Sequence, residues 1–281
     1  MSSLVNILDD WPLWGISKQP IETKQVALLQ GGLTNISYQL TLASGEYILR
    51  VNAANTHALG IDRERELLIH QLMAQANITS PIRYISDDQS YLIRDYIEGE
   101  VLSESMADAA DLPDSILSYM VEQLKNVHQQ SLQQQSLQQP VNIALPKINI
   151  SDIAEFYWQI LAANNPNDEM LKMKPLMQVA MREPPAGEFC LCHMDPVLAN
   201  WLYTATGLQL LDWEYAGLGH PLWDLAALWQ GIKEKSNASE DKLSVIEEKI
   251  INFYGVKNRT AWRRANVQME YLASLWYRAQ H

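Results

Sequence analysis

The sequence predicts an α+β protein with two lobes: a small N-terminal antiparallel sheet with one helix, and a larger, mainly helical C-terminal lobe. Apolar residues alternate with polar ones in several stretches between residues 24 and 97, which is typical of half-buried strands. From about residue 101 onward apolar residues recur at helical spacing, interrupted by short strand-like runs near residue 200. We therefore expect an N-terminal segment (residues 1–23), a first lobe (24–97) and a second lobe (98–281).

The first lobe is predicted to begin with three strands that form a meander. Strands are indicated at residues 26–30, 36–42 and 47–51. The turn between the first two is rich in glycine and contains Gly31, Gly32, Thr34 and Asn35. Such a turn can lay backbone N–H groups over phosphate oxygens because no bulky side chain intervenes, although many ordinary hairpins also contain paired glycines.

The rest of the first lobe is predicted to contain one helix and two further strands. Residues 62–77 place their apolar side chains on one helical face. Strands are indicated at residues 82–85 and 91–97, and the second includes Asp95, Tyr96 and Ile97, where the chain leaves the lobe. An ordinary exit from a strand into a loop would have the same sequence pattern.

The second lobe is predicted to be mainly helical. Helices are indicated at residues 117–128, 152–163, 169–181, 222–229, 243–254 and 261–280. We expect the glutamine-rich residues 129–139 to form a solvated connection, and residues 217–221 to form a loop. His128 is expected to end its helix without a chemical role.

Polar residues near residue 200 lie at the ends of predicted strands. These strands are indicated at residues 189–192, 201–203 and 208–211. The order is Asp195, then Asn200, then Asp212. Phosphoryl transfer needs such oxygen groups, because Mg²⁺ prefers hard oxygen ligands and a further carboxylate can orient a hydroxyl group and accept its proton. The alternative is an ordinary hairpin whose polar residues cap turns.

The order of these residues resembles the catalytic loop and the following metal-binding aspartate of kinases. More narrowly, it is similar to the aminoglycoside phosphotransferase and choline kinase superfamily, with bacterial thiamine kinase as the nearest branch. The residues that carry the resemblance are His193-Met194-Asp195, Asn200, Gly207-Leu208, Leu210 and Asp212-Trp213-Glu214-Tyr215-Ala216-Gly217. The resemblance extends over residues 24–280, is sharpest over 190–228, and implies a protein-kinase-like two-lobe fold.

The resemblance implies roles in the second lobe. Asp195 would act on the substrate hydroxyl, and Asn200 and Asp212 would hold magnesium. His193 and Asp224 would position the loop, Asp224 by bonding back to the loop backbone; alternatively, Asp224 is only an acidic residue favoured at a helix N-terminus.

In the first lobe, the resemblance implies that Arg50 contacts the nucleotide phosphates. Glu66, or less favourably Glu64, would pair with Arg50; alternatively, Arg50 is a surface residue and both acids make pairs within their helix. The nucleotide site would also include Gly31, Gly32, Thr34, Asn35, Asp95, Tyr96 and Ile97, the last three because adenine bonds to the backbone where the lobes join.

A cationic substrate would need compensating acid or aromatic faces. We expect Trp213 and Glu214, which directly follow Asp212, to hold the cationic part of the substrate. The alternative is that Trp213 packs under the hairpin and Glu214 caps the next turn.

Three functions are compatible with the sequence. The first is an ATP- and Mg²⁺-dependent kinase that phosphorylates a hydroxyl group of a small cationic alcohol, with thiamine foremost. The second has the same chemistry and uses choline, ethanolamine, an aminoglycoside or another amino alcohol or sugar. The third is an inactive kinase-like module that binds a nucleotide or a partner. The joint presence of Asp195, Asn200 and Asp212 argues against the third.

Composition excludes several other classes of protein. The net charge of −12 disfavours nucleic acid as a partner, and no apolar run reaches the roughly 20 residues of a transmembrane helix. The first residues do not resemble a secretory signal, so we expect a cytoplasmic protein. The two cysteines, Cys190 and Cys192, are expected to be buried, inert thiols, because two ligands do not make a metal site.

Overall fold

A computed structural model describes residues 4–29, 35–54, 56, 60–130, 145, 147–163 and 168–280. The chain divides into two compact units, residues 1–99 and 100–281. Gly31, Gly32 and Thr34 of the predicted phosphate-binding turn lie outside the described residues, as does most of the glutamine-rich connection.

The first unit contains a five-stranded antiparallel sheet in the order β1-β2-β3-β5-β4. Its strands are β1 (Val26–Leu29), β2 (Ile36–Leu42), β3 (Gly45–Val51), β4 (Ile82–Ile85) and β5 (Tyr91–Asp95). Its helices are α1 (Leu4–Leu8), α2 (Trp11–Trp14) and α3 (Arg63–Gln75), and a short 3₁₀ helix covers Thr23–Gln25. The predicted small antiparallel sheet with one main helix is therefore confirmed.

The N-terminal segment packs into the same core as the sheet. Trp14 is buried in one hydrophobic cluster with Leu40, Leu49 and Ile93 of the strands. Its indole nitrogen donates to the hydroxyl of Tyr91 at 3.2 Å. The short apolar segment 4–21 cannot bury its side chains alone, so it covers one face of the sheet.

Helix α3 begins where Asp62 caps it, accepting from the backbone N–H of Arg65 at 3.1 Å. Its buried side includes Ile69 and Met73, but also Glu66 and His70. A buried carboxylate needs partners, since desolvation of an unpaired charge is costly. The buried face of α3 therefore contributes polar groups to a candidate functional site as well as apolar groups to the hydrophobic core.

The second unit is mainly helical, as predicted. Its helices are α4 (Leu102–Ser105), α5 (Asp114–His128), α6 (Ile150–Ala163), α7 (Asp168–Met181), α8 (Pro221–Glu234), α9 (Glu240–Tyr254) and α10 (Arg259–Gln280). Its strands are β6 (Glu100–Val101), β7 (Cys190–Cys192), β8 (Trp201–Thr204), β9 (Gly207–Leu210) and β10 (Gly217–Gly219). None of the helices in the described part of the chain is long and apolar enough to cross a membrane.

The predicted loop at 217–221 is wrong in its first half. Residues Gly217–Gly219 form β10, which pairs antiparallel with Cys190–Cys192 of β7. The partner strand is distant in sequence, so no local pattern could reveal this pairing.

Helix α8 is the central helix of the second unit and packs against α10, α5 and α9. It begins after His220, whose ring accepts from the backbone N–H of Leu222 at 3.2 Å, and Pro221 is its first residue. Trp223 donates to Gln268 of α10 at 2.8 Å. Asp224, in the first turn, is fully buried, so its carboxylate must be satisfied by neighbouring donors.

Candidate active site

Strand β7 ends at the loop that contains Asp195, and a 3₁₀ helix at Leu198–Asn200 brings Asn200 back to it. The Asn200 amide nitrogen donates to the Asp195 backbone oxygen at 2.8 Å and to Oδ2 of the Asp195 carboxylate at 2.9 Å. These two bonds fix the carboxylate. Because both use the amide nitrogen, the amide oxygen of Asn200 remains an acceptor.

Asp224 holds the backbone of this loop. Its Oδ2 accepts from the N–H of His193 at 2.8 Å and its Oδ1 from the N–H of Met194 at 2.7 Å. Met194 adopts a left-handed conformation with φ 70°, which costs a non-glycine residue on the order of 1–3 kcal/mol. The two bonds from Asp224 offset that cost and hold the turn that presents Asp195.

His193 fixes the loop from its other side. Nε2 lies 2.9 Å from the Leu211 carbonyl oxygen, and the Asp195 N–H donates to Nδ1 at 3.3 Å. Since Nδ1 accepts, Nε2 carries the proton and donates to Leu211. Burial lowers the pKa of His193 to about 4, so the ring is neutral and acts as a positioning group.

Asp212 follows β9 with a left-handed backbone, φ 63°. The preceding N–H, of Leu211, donates to the Asn200 carbonyl oxygen at 2.8 Å, which ties the Asp212 segment to the Asn200 segment. An amide oxygen and a carboxylate are hard donors of the kind that magnesium binds. The donor set therefore fits a magnesium ion.

The position of Trp213 favours the alternative to substrate binding. It is fully buried, with its ring 4.6 Å from that of His193 in an edge-to-face arrangement, so it offers no face to a substrate. The alternative considered for Trp213, packing beneath the hairpin, describes its position.

Glu214 is also almost fully buried, with 2% of its surface exposed. Burial raises the pKa of Tyr215, and the Glu214 carboxylate raises it further. Burial likewise raises the pKa of Tyr157, with further contributions from Asp195 and Glu214. Trp276 of α10 donates to the Tyr215 hydroxyl at 3.0 Å. Glu214 thus lies among acidic and aromatic groups that include Asp195.

The electrostatics of Asp195 are unusual for an aspartate. Its pKa is raised to about 7: desolvation raises it most, the Asn200 hydrogen bond lowers it, and the negative charges of Glu214 and Asp224 raise it. No cationic side chain in the described part of the chain is among the groups that shift this pKa. A carboxyl group with a pKa near neutrality is suited to exchanging a proton with a substrate.

The first unit contains a separate buried ion-pair network. Nη2 of Arg50 lies 2.6 Å from Oε1 of Glu66, and Nη1 of Arg63 lies 2.5 Å from Oε2. Burial alone would raise the pKa of Glu66, but the two arginines hold it below its usual value. Glu66, not the exposed Glu64, is therefore the partner of Arg50.

Asn35, at the end of the predicted phosphate-binding turn, joins this network. Its side-chain oxygen accepts from Nη2 of Arg63 at 2.8 Å and from the N–H of Ala53 at 3.2 Å. Nε of Arg50 donates to Asn52 at 3.0 Å. The network fixes the Arg50 guanidinium group on strand β3.

Asp95, Tyr96 and Ile97 end the first unit. The Asp95 carboxylate is held by Arg83 through two bonds of 2.7 Å, and the N–H groups of Asp95 and Tyr96 donate to Pro81 and Glu46 at 3.2 and 3.1 Å. Across the described residues, the Ile97 N–H has no backbone acceptor. Of Asp95, Tyr96 and Ile97, Ile97 is therefore the residue whose backbone N–H can donate to a ligand.

Sequence reasoning missed several residues of these arrangements. His128 was expected to have no role, yet its Nε2 lies 3.0 Å from Oδ2 of Asp224. Arg63 and Tyr157 were not singled out, and Tyr215 was named only as part of the motif, without a role. Each lies on a helix or turn whose local pattern is ordinary, and only distant parts of the chain give it polar or charged neighbours.

Comparisons with known proteins show the family and the fold of this chain. The model of the phosphotransferase enzyme family matches residues 25–265. Thiamine kinase of Escherichia coli O157:H7 is 28% identical over 177 residues, which cover 60% of this chain and 54% of that protein. Thiamine kinase of Shigella boydii serotype 4 is 36% identical over 83 residues, 30% of each chain. The matched region thus spans about half of the first of these relatives and less than a third of the second.

Solved structures share the fold at low sequence identity. Choline kinase LicA from Streptococcus pneumoniae superposes with a TM-score of 0.72 at 18% identity, covering 98% of this chain and 90% of that one. An aminoglycoside phosphotransferase from Streptomyces rimosus superposes with a TM-score of 0.65 at 15% identity, covering 97% and 99%. The protein-kinase-like fold that the sequence predicts is therefore confirmed.

Proposed function

We propose that this chain, which belongs to the phosphotransferase enzyme family, transfers the γ-phosphoryl group of ATP to a hydroxyl group of a small cationic alcohol, with thiamine as the first candidate. Membership of the phosphotransferase enzyme family and the similarity to thiamine kinases support a small-molecule kinase. The observation that carries the finer proposal is the partly buried Asp195, fixed by Asn200 and surrounded by acidic and aromatic groups.

Asp195 is proposed to orient the substrate hydroxyl and to accept its proton. Asn200 donates to Oδ2 of Asp195, which leaves Oδ1 to accept the hydroxyl. With a pKa of about 7, the carboxyl group can take the proton as the oxygen attacks phosphorus and release it afterwards. His193 and Asp224 hold the loop, so the geometry does not have to form during the reaction.

Asn200 and Asp212 are proposed to hold magnesium. Kinases of this family use ATP with a divalent ion, and an ion held by these two residues would neutralise negative charge on the phosphate groups. The amide oxygen of Asn200 is available for this purpose, because its nitrogen makes both bonds to Asp195. The bond from Leu211 to Asn200 holds the Asp212 segment close to that oxygen.

The nucleotide contacts are proposed to come from the first unit. Arg50 is held on β3 by Glu66 and would bind phosphate oxygens, and the Ile97 N–H would donate to adenine. Because two arginines share one glutamate, this network of three charged residues carries a net positive charge. An anionic nucleotide is favoured by that charge.

The preference for a cationic acceptor rests on charge. Glu214, Asp195 and Asp224 lie close enough for their negative charges to act on one another, and the rings of Tyr157 and Tyr215 lie in the same neighbourhood. A fixed positive charge on the substrate would lower the energy of this group of acids. Thiamine carries such a charge, and thiamine kinases are among the curated relatives. Choline has the same feature and is the second candidate, favoured by the structural neighbour.

The test is an assay of ADP release with thiamine, choline, ethanolamine and an aminoglycoside as acceptors. We expect the largest kcat/KM with thiamine. Glu214→Gln should raise the KM for thiamine and leave the KM for ATP nearly unchanged, because it removes one negative charge beside the acceptor. Glu122→Gln, at an exposed position of α5, is the matched control. A preferred neutral acceptor, or an unchanged KM in Glu214→Gln, would contradict the proposed cation recognition.

A further inference from the structure

Strand β7, which leads into the Asp195 loop, carries the only two cysteines of the chain. Cys190 is half-buried, Cys192 is fully buried, and both are free thiols. Their sulfur atoms lie 3.8 Å apart on the same face of the strand. His128 from α5 completes the set, since one donor atom from each of the three residues lies within 4.8 Å of the other two.

We propose that Cys190, Cys192 and His128 form a binding site for a thiophilic metal ion such as Zn²⁺, Cd²⁺ or Cu⁺. Thiolate and imidazole are the donors that such ions select over oxygen groups. The sequence supplies only the two cysteines in one segment, and the third ligand comes from a helix far away in the chain. For that reason the sequence alone indicated inert thiols.

The sulfur separation fits a shared metal ion. Two metal–sulfur bonds of about 2.3 Å at a tetrahedral angle place the sulfur atoms about 3.8 Å apart, and the measured distance is 3.8 Å. A disulfide fits less well, since alternate residues of an extended strand have Cα atoms about 6.7 Å apart, near the upper limit for that bond. The strand therefore presents the two thiols at the spacing of metal ligands.

The hydrogen bonds of His128 leave Nδ1 as the nitrogen with a lone pair that can bind a metal. Nε2 faces Oδ2 of Asp224 at 3.0 Å, so Nε2 carries the proton. Nδ1 is then an acceptor, and it lies 2.8 Å from the hydroxyl of Tyr254. A metal ion that displaces this hydroxyl would meet an imidazole already oriented by a carboxylate, an arrangement common around metal-bound histidines.

Metal binding at this site would disturb the Asp195 loop. In a tetrahedral site the nitrogen and each sulfur lie about 3.6 Å apart. In this structure the donor atoms of the three residues are separated by up to 4.8 Å, so His128 must move towards the cysteines when a metal binds. The Oδ2 atom of Asp224 that faces His128 also accepts from the N–H of His193. Occupation therefore competes with the bonds that hold the loop, and we expect the metal to inhibit the kinase; this consequence rests on the proposed function, whereas the binding site does not.

The binding test is a titration of the reduced full-length protein with Cd²⁺, followed by calorimetry and by the ultraviolet absorption of cadmium–thiolate bonds. We expect one ion per chain, and at least a tenfold loss of affinity in Cys190→Ser and in His128→Gln. Ca²⁺, which prefers oxygen ligands, should give no thiolate absorption, and any heat it releases should be the same in wild type and in Cys190→Ser. Thermal unfolding of each variant checks that it is folded; Cys190 is half-buried, so its serine variant should fold. A stoichiometry of one ion per two chains, or an unchanged affinity in folded Cys190→Ser, would overturn the site.

The inhibition test measures turnover at saturating ATP and Mg²⁺ while Zn²⁺ is added. Wild type should lose activity at a Zn²⁺ concentration at least tenfold lower than Cys190→Ser does. If Cd²⁺ binds as expected but Zn²⁺ inhibits both proteins equally, the coupling to the loop is refuted and the binding site stands. If no acceptor is phosphorylated at all, the proposed function fails, and the cadmium titration still decides the metal site.

Discussion

Asp224→Asn is the sharpest test of how the active-site loop is held. The Asp224 carboxylate is fully buried and accepts three hydrogen bonds: Oδ1 from Met194, and Oδ2 from His193 and His128. Asparagine has nearly the same shape, but one of its two terminal atoms is a nitrogen that only donates. At least one of the three donors must then face another donor.

The expected cost follows from the number of bonds lost. If the amide nitrogen replaces Oδ1, the Met194 bond is lost, and if it replaces Oδ2, two bonds are lost. Hydrogen bonds to charged groups contribute about 1.5–3 kcal/mol each. We therefore expect the free energy of unfolding to fall by about 1.5–3 kcal/mol if one bond is lost, and by about 3–6 kcal/mol if two bonds are lost.

Stability and turnover should both respond. Urea unfolding measures the first, and kcat and the KM for ATP, measured at a temperature where the variant is folded, measure the second. Because the loop presents Asp195, kcat should fall roughly 10- to 100-fold while the KM for ATP changes little. Asp111→Asn is the matched control: Asp111 is 71% exposed and pairs with Lys242 at the surface, so its loss should cost less than about 1 kcal/mol.

Two results would refute this reasoning. A loss of stability no larger than that of Asp111→Asn would mean that the Asp224 bonds are not important for the native state. A large loss of stability with unchanged kcat in the folded variant would mean that Asp224 stabilises the fold without positioning the loop.

Further predictions concern the proposed catalytic, metal and phosphate contacts and one buried histidine. Asp195→Asn should lower kcat about 10²–10⁴-fold without unfolding the protein, because it removes the proton acceptor; near-normal turnover would exclude that role. Asp212→Ala should weaken nucleotide binding more with Mg²⁺ than without, by calorimetry; equal losses would indicate a structural role. Arg50→Ala should raise the KM for ATP and leave the KM for the alcohol unchanged, whereas Arg259→Ala, which breaks a surface pair with Glu248, should change neither. Burial lowers the pKa of His70 from 6.5 to about 4, so the unfolded chain binds a proton that the native state excludes. Stability from this group is complete above pH 6.5 and is lost as the pH falls towards 4; between pH 7 and 5 the loss is about 2 kcal/mol, and urea unfolding of His70→Gln should show a flatter pH dependence.

Local sequence was sufficient for the elements and for the order of the candidate catalytic residues. Alternation predicted the strands of the first unit, and helical spacing predicted α5, α9 and α10. Asp195, Asn200 and Asp212 lie next to short apolar runs that are recognisable as strands in the sequence. The family followed from the same short segment, because phosphoryl transfer restricts both the residue types and their spacing.

Contacts between distant segments decided what the sequence left open. Glu66, and not Glu64, forms ion pairs with the arginines of β3 and α3. Trp213 is buried because it packs against His193. Strand β10 forms because β7 lies beside it and pairs with it. His128 gained its neighbours in the same way, from α8, α9 and β7. Sequence determined the periodic pattern and the chemistry of each segment, since these depend on neighbouring residues. Burial, pKa and the partner of each charge depend on which surfaces meet, and only the tertiary structure determines that.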